Sequence, residues 1–233
     1  MKRLHFLVEG PTEKEFVDNV LRPHLFSCGK LCDARLLTTS RDWSEGRFYK
    51  GGMISYGKLK HQLILAVKED HAADSFFTTM LDYYGLPAGF PGLQTTTTRN
   101  TGNPKVIVGN AESALLNEMI HAFPSLPIAS KFVPNIMCHE FETLLLSDCS
   151  KIAKYYIECQ ANIQTLANQV SQVGDPELVN SSPNTAPSKR IISAIPEYDK
   201  VTAGAIIAMD VGLSVLRQRC MRFNNWLSRL EAL

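Results

Sequence analysis

Apolar residues along this chain follow two different periods, and their alternation predicts the fold. Residues 4–8, LHFLV, form an almost unbroken apolar run that stops at Glu9, the pattern of a strand buried on both faces. Gly10 and Pro11 then turn the chain, and Phe16, Val17, Val20 and Leu21 recur at helical spacing. CDARLLTTS (32–40) predicts a second strand, and KLKHQLILAVKED (58–70) a helix with Leu59, Leu63, Ile64 and Val67 on one face. SFFTTMLDYYGLP (75–87) reads as a strand ending at Asp82, and VIVGNAESALLNEMIHAF (106–123) as a short apolar run followed by a helix. KFVPNIMCHEFETLLLSD (131–148) reads as a strand leading into His139, Glu140 and Glu142. Strands alternating with helices predict an α/β fold with a mainly parallel sheet flanked by helices.

After Asp148 the pattern becomes helical, in residues 150–173 and 202–233. The reading is therefore an α/β core over 1–150 and a helical C-terminal region over 151–233 that packs on it. Between the two helical stretches lies a 27-residue polar, proline-rich segment, 174–200, and loops of that length tend to carry function.

Composition narrows the options. The 233 residues are 45% hydrophobic, enough for a substantial core, and the formal net charge of +1 offers no global basic field. Nucleic-acid contact would have to come from a local patch. The six cysteines form no CxxC pair and have no zinc-site spacing, so reduced, mostly buried thiols are expected. MKRLHFLVEG lacks the pattern of a signal peptide, and no apolar run approaches the length of a membrane span. A cytoplasmic protein without a membrane role is the expectation.

Three predicted strands end in acids: Glu9, Asp82 and the Glu140/Glu142 pair. Ligands of open parallel sheets bind outside the carboxyl ends of the strands. Carboxylates gathered there repel one another and stay ionised only beside a positive charge. An all-oxygen donor set selects a hard ion, Mg²⁺ or Mn²⁺. Each acid also has a plainer reading. Glu13 favours a helix dipole, Asp82 suits a turn, and HEFE suits a polar helix start. His139 is either a ligand, a proton donor or a packed, hydrogen-bonded residue.

VEGPTEKEF (8–16) resembles the first motif of TOPRIM domains, a strand ending in glutamate before a glycine turn and a helix. VEGPTEKEF, KGGMISYGKLK, LDYYGLPAGFPG, CHEFETLLLSD, NTAPSKRI and CMRFNNWLSRL, in that order, resemble a bacterial domain-of-unknown-function family with a TOPRIM-like core. The resemblance implies genes beside ABC-type or AAA ATPases, in a setting similar to phage defence. It implies a metal-dependent nuclease cutting DNA or RNA with an ATPase partner, and leaves homo-oligomerisation open. Carried over, Glu9 matches the motif glutamate and Asp82 the first aspartate of an Asp-x-Asp pair, whose second position falls on Tyr84. Glu9, Asp82, Glu142, Glu13 and Glu140 are the metal-ligand candidates, with Glu9, Asp82, Glu142 and Lys189 assigned to catalysis.

Phosphodiester cleavage needs cations against the developing charge. Candidates are Lys50 in KGG, and Ser188, Lys189 and Arg190 in PSKR, where Ser188 would cap a helix and the cations would clamp phosphate. The same loop offers Tyr198 and Lys200. Trp43, Phe48 and Tyr49 among Arg41 and Arg47 suit base stacking or an ordinary protein interface. Two rivals to the nuclease remain. One is a binding or effector subunit whose acid site, with Tyr84 in place of aspartate, is too degenerate to cut. The other is a nucleotide hydrolase or transferase.

Overall fold

The computed structural model describes residues 1–37, 40–41, 48–49, 55–93, 102–180 and 183–233. β1 (Lys2–Val8) is fully buried from Leu4 to Val8 because it lies between two parallel neighbours, β2 (Lys30–Leu36) and β5 (Ser75–Asp82). Two residue pairs, β3 (Ser40–Arg41) and β4 (Phe48–Tyr49), form a separate antiparallel ladder. On its far side β5 pairs in parallel with β6 (Phe132–Val133) and, further along, with β7 (Ile136–Met137). The main sheet is thus mainly parallel, in the order β2-β1-β5-β6, with β7 continuing beside β5.

Side chains alternate across this sheet with period two, and each face builds its own core. Leu4, Phe6 and Val8 of β1 and Met80 of β5 join one apolar cluster; Leu7, Phe77 and Leu81 join the other. The second face is covered by α3 (Tyr56–Glu69) and α4 (Pro104–Ala122), through Leu59, Leu63, Val108 and Leu115.

The first face carries α1 (Pro11–Phe16), which runs through a π-helical segment, Val17–Leu21, into α2 (Arg22–Ser27). Pro23 has no N–H to give a regular helical bond, and the Arg22 N–H reaches back to Val17 O instead. The remaining elements are α5 (Ile128–Lys131), α6 (Glu142–Leu145), α7 (Cys149–Ala153), α8 (Gln160–Val173), α9 (Pro187–Ala194), α10 (Lys200–Val211), α11 (Leu213–Arg219) and α12 (Met221–Ala232).

The C-terminal helices share the first core rather than standing apart. Leu166, Ile191, Ile207 and Leu227 cluster with Leu4, Phe6 and Phe16. The Trp226 indole N–H of α12 donates to Thr78 Oγ1 of β5 at 2.8 Å, and Thr78 Oγ1 donates to Val133 O at 2.6 Å. Glu177 is buried and accepts the Arg222 and Phe223 N–H groups that open α12, at 3.0 and 3.1 Å. Among the described residues no single helix is long and apolar enough to cross a membrane, and α10 and α11 turn by 86° at their junction.

Several local expectations change. Residues 106–123 hold no separate run before the helix. Asn103 caps α4, its side chain accepting the Lys105 N–H, and Pro104 starts the helix. The strand expected to lead from residue 131 to His139 is two dipeptide strands, because Pro134 interrupts the ladder between them. The helix expected over 150–173 is broken into α7, a 3₁₀ turn (Ile157–Cys159) and α8. The long segment 174–200 is not structureless. It contains two 3₁₀ turns, Pro176–Leu178 and Pro183–Thr185, and the whole of α9.

His5 pins the amino-terminal half of the sheet. Its Nδ1 bonds Asp33 at 2.5 Å and its Nε2 bonds Asp70 at 2.9 Å, while the ring stacks on Phe77. Burial opposes protonation, but the two carboxylates outweigh it and raise the His5 pKa. A raised histidine pKa contributes stability below the unfolded-state value of about 6.5 and loses it as pH climbs through the folded-state value. We expect His5→Ala to lower the urea midpoint more at pH 6 than at pH 9. An equal drop at both would show that the imidazole is held neutral.

Candidate active site at the carboxyl ends of β1 and β5

The carboxyl ends of two adjacent parallel strands bring their terminal acids together. Glu9 follows β1, Asp82 ends β5, and Glu9 Oε2 accepts the Asp82 N–H at 3.0 Å. Glu13 enters from the first turn of α1, and Glu142 from the first residue of α6, where the chain leaving β7 turns back over the strand ends. Glu13, Asp82 and Glu142 are at most 6% exposed.

Among the described residues one cation sits between them. Lys200, first residue of α10, places Nζ 2.8 Å from Asp82 Oδ2, 3.0 Å from Glu13 Oε1 and 3.4 Å from Glu142 Oε2. Two contacts set its position. Asp199 caps α10, its side chain accepting the Thr202 N–H at 2.8 Å, and Thr12 Oγ1 donates to Lys200 O at 3.2 Å. Gly204 lets α10 approach this closely, since a Cβ there would come within 2.8 Å of Thr12 Cγ2. At Gly85 a Cβ would fall on Glu9 Oε1, so only glycine leaves room for that carboxylate.

The electrostatics follow, among the described residues, from four carboxylates against one ammonium. Burial, then the charges of Asp82 and Glu13, push the Glu9 carboxyl up to about 8. Burial and Asp82 raise Glu13 as well. Burial pushes Glu142 up to about 7 despite the opposing pull of Lys200. Burial works against the Lys200 charge, yet Asp82, Glu142 and Glu13 outweigh it and hold the ammonium well above the usual lysine range. The nearby Tyr198 hydroxyl is raised by burial and by Glu142, and it has no hydrogen-bond partner among the described residues.

The donor set and charge suit a hard divalent cation. Every candidate ligand is a carboxylate oxygen, negative charge is in excess, and Asp82 Oδ1 is buried without a hydrogen-bond partner among the described residues. The spacing is wider than that of a closed metal shell. Among the described residues, three ligand atoms within 4.8 Å of one another occur at His24, Cys28 and Glu231, and not at the acids, which spread around Lys200.

The sequence-derived candidates divide accordingly. Glu9, Glu13, Asp82 and Glu142 come together. Glu140 turns away and accepts the Ser188 N–H at 2.9 Å, inside the first turn of α9. Ser188 is therefore not the helix cap; Ala186 occupies that position, and Glu140 takes the place expected for a phosphate. Lys189 and Arg190 make no ion pair with the acids among the described residues and line a cleft beside α8 instead. Lys50 lies outside the described residues, as do Trp43 and Arg47.

Tyr84 does not share a face with Asp82. The strand ends at Asp82, and Tyr83–Gly85 forms a 3₁₀ turn. Tyr84 instead contacts His139, its hydroxyl 3.1 Å from Nδ1, and takes a bond from the Asn180 side chain. His139 is buried with φ 67°, a left-handed conformation unusual for a non-glycine residue, and burial pushes its pKa down to about 4. It is a neutral residue of a buried network with Tyr84. The sequence offers Lys200 only as one more cation of the loop; its place among the acids is not visible there because it lies 118 positions from Asp82. The only local signal is Asp199-Lys200 ahead of an apolar helix, which marks a cap and not a site.

The family model described as Domain of unknown function (DUF4276) matches residues 8–231, and the chain belongs to that family. No curated protein and no solved structure was found to match it.

Two stability measurements in chelator probe the cluster. Native Glu9 keeps its proton up to about pH 8, whereas in the unfolded chain it loses it near 4.5, so Glu9 costs stability as pH rises through that window. Glu9→Gln, which mimics the protonated form, should be more stable than wild type by on the order of a few kcal/mol at pH 8.5 and equal to it near pH 4. Lys200→Ala strands the buried acids and should cost roughly 3 kcal/mol at pH 8, less at pH 5 where Glu9 and Glu142 are protonated. Urea titrations of both variants decide; a Glu9→Gln chain that unfolds at every pH would make Glu9 a structural residue.

Proposed function

Taking that family membership as a premise, we propose that the chain is a metal-dependent nuclease with a TOPRIM-like site, hydrolysing phosphodiesters of DNA or RNA alongside an ATPase partner. The observation that supports it is the convergence of Glu9, Asp82, Glu13 and Glu142 at adjacent parallel strand ends around Lys200, the one cation there among the described residues. The ATPase partner and the phage-defence setting rest on the sequence resemblance alone.

Bound Mg²⁺ or Mn²⁺ would supply a Lewis acid and a water acidic enough to attack at neutral pH. Glu9 and Asp82 would hold the ion from two neighbouring strands, Asp82 through the oxygen that Lys200 leaves free. Glu13 and Glu142 would keep Lys200 in place, and its proton, held firmly by three carboxylates, would remain as a fixed positive charge facing the phosphate.

A second reading has its own support. Lys200 already lies where the acids converge, and Tyr84 is committed to His139, so the cluster could serve a non-cutting subunit whose charges are balanced internally. Mn²⁺ titration separates the two. The nuclease reading expects calorimetric binding of Mn²⁺ and a thermal shift equivalent to about 2.7 kcal/mol at 100-fold saturation. Both signals, and any cleavage, should vanish in Asp82→Asn while the fold survives. A wild-type chain with no Mn²⁺ or Mg²⁺ response would leave the internally balanced subunit.

A further inference from the structure

Between α8 and α9 lies an open cleft of about 360 Å³ that does not include the acids. Its walls carry Asn162 and Gln169 from α8, Asn184 and Thr185 from the turn before α9, and Lys189 and Arg190 from α9 itself. Among the described residues no aspartate or glutamate lines it, and the charges they bring are positive. Arg190 braces the two walls, donating from Nε to Thr185 O at 2.9 Å and from Nη1 to Gln169 Oε1 at 3.1 Å. Lys189 is exposed and makes no ion pair among the described residues. Buried Leu166 and Ala194 form an apolar floor.

We propose that this cleft seats a stretch of single-stranded nucleic acid, so that the substrate of the carboxylate site is a polynucleotide strand and not a small phosphate compound. The proposal rests on the nuclease reading of the carboxylate site and names its substrate class. Three observations carry it. First, unneutralised cations in an acid-free cleft suit a polyanion. Second, the three amides present both donors and acceptors, the groups that read unpaired base edges, above a floor that would accept a base or sugar. Third, the cleft and the acids lie on either side of the first turn of α9. Ser188 N–H binds Glu140, which is two residues from Glu142, while the next residue, Lys189, faces the cleft. A single phosphate cannot touch both; a strand passing the start of α9 can.

The test is fluorescence anisotropy in chelator with a labelled single-stranded DNA of about ten nucleotides. AMP and polyglutamate serve as competitors, and Mn²⁺ calorimetry is run in parallel. Lys189→Ala and Asn162→Ala each change an exposed side chain and should fold normally. We expect each to weaken strand binding several-fold. Lys189→Ala should also reduce the log–log salt slope by about 0.7. AMP should compete poorly, and Mn²⁺ affinity should not change in either variant. Strand binding indifferent to both substitutions, or displaced equally by AMP or polyglutamate, overturns the proposal. Loss of every Mn²⁺ response in wild type, with strand binding still sensitive to Lys189, would remove the nuclease reading and leave the cleft as a strand-binding site.

Discussion

The contact between the Lys200 ammonium and three buried carboxylates is the constraint on which the site depends. Four acids in a poorly solvated pocket repel strongly, and the repulsion is relieved by protons, by a cation, or by moving apart. Lys200 supplies the cation from the far end of the sequence. Its reach explains why α10 lies directly on α1, why Gly204 is small, and why Thr12 anchors the Lys200 carbonyl. Buried ion pairs of this kind are weak evidence for stability, because the desolvation of the partners offsets much of the attraction. An apolar core at the same place would be simpler to build, so an arrangement that spends stability on charge points to chemistry.

That contact also bears on how the two halves of the chain relate. The sheet and the C-terminal helices share one apolar cluster, and the Trp226–Thr78 bond and the Glu177 cap tie α12 to the strands. The acids come from residues 9–142, their counter-ion and the cleft from residues 162–200. A site divided this way is incomplete without either part. The left-handed backbone of His139 lies at the same end of the sheet, in the chain leaving β7. Such irregularities are characteristic of functional regions.

The α/β class was legible because β1 and β5 are buried on both faces and so read as continuous apolar runs, while α3 shows one apolar stripe. The acids were legible for a related reason: in a parallel sheet the strand end is where the chain emerges toward the ligand, and Glu9 and Asp82 stand there in the sequence itself. What was hidden depends on contacts between distant segments. Nothing local separates Glu142 from Glu140; the turn after β7 decides which one faces the strands and which one caps α9. Ser188, Lys189 and Arg190 read as a phosphate-binding helix start, but a carboxylate 48 positions upstream takes the Ser188 N–H, and the cations line the cleft on the other side. Tyr84 read as the second member of an extended pair because the strand's end at Asp82 is set by a 3₁₀ turn, which hydrophobic alternation does not mark.

The balance of charge separates the two readings of the site more sharply than its resemblance does. A lysine used only to neutralise buried acids needs one carboxylate, and a second would suffice to orient it. Here three contact Lys200 and a fourth, Glu9, accepts the Asp82 N–H and is raised to about 8 by burial and then by Asp82. Asp82 divides its two oxygens, one toward Lys200 and one with no partner among the described residues. An internally balanced cluster has no use for that surplus and would be relieved by losing any one of the acids. A site that must hold a divalent ion and a fixed ammonium together needs at least three negative charges to do so. Asp82, Glu13 and Glu142 bring three such groups, and Glu9 adds a fourth charge once it gives up the proton that burial now favours, which a cation bound beside it would bring about.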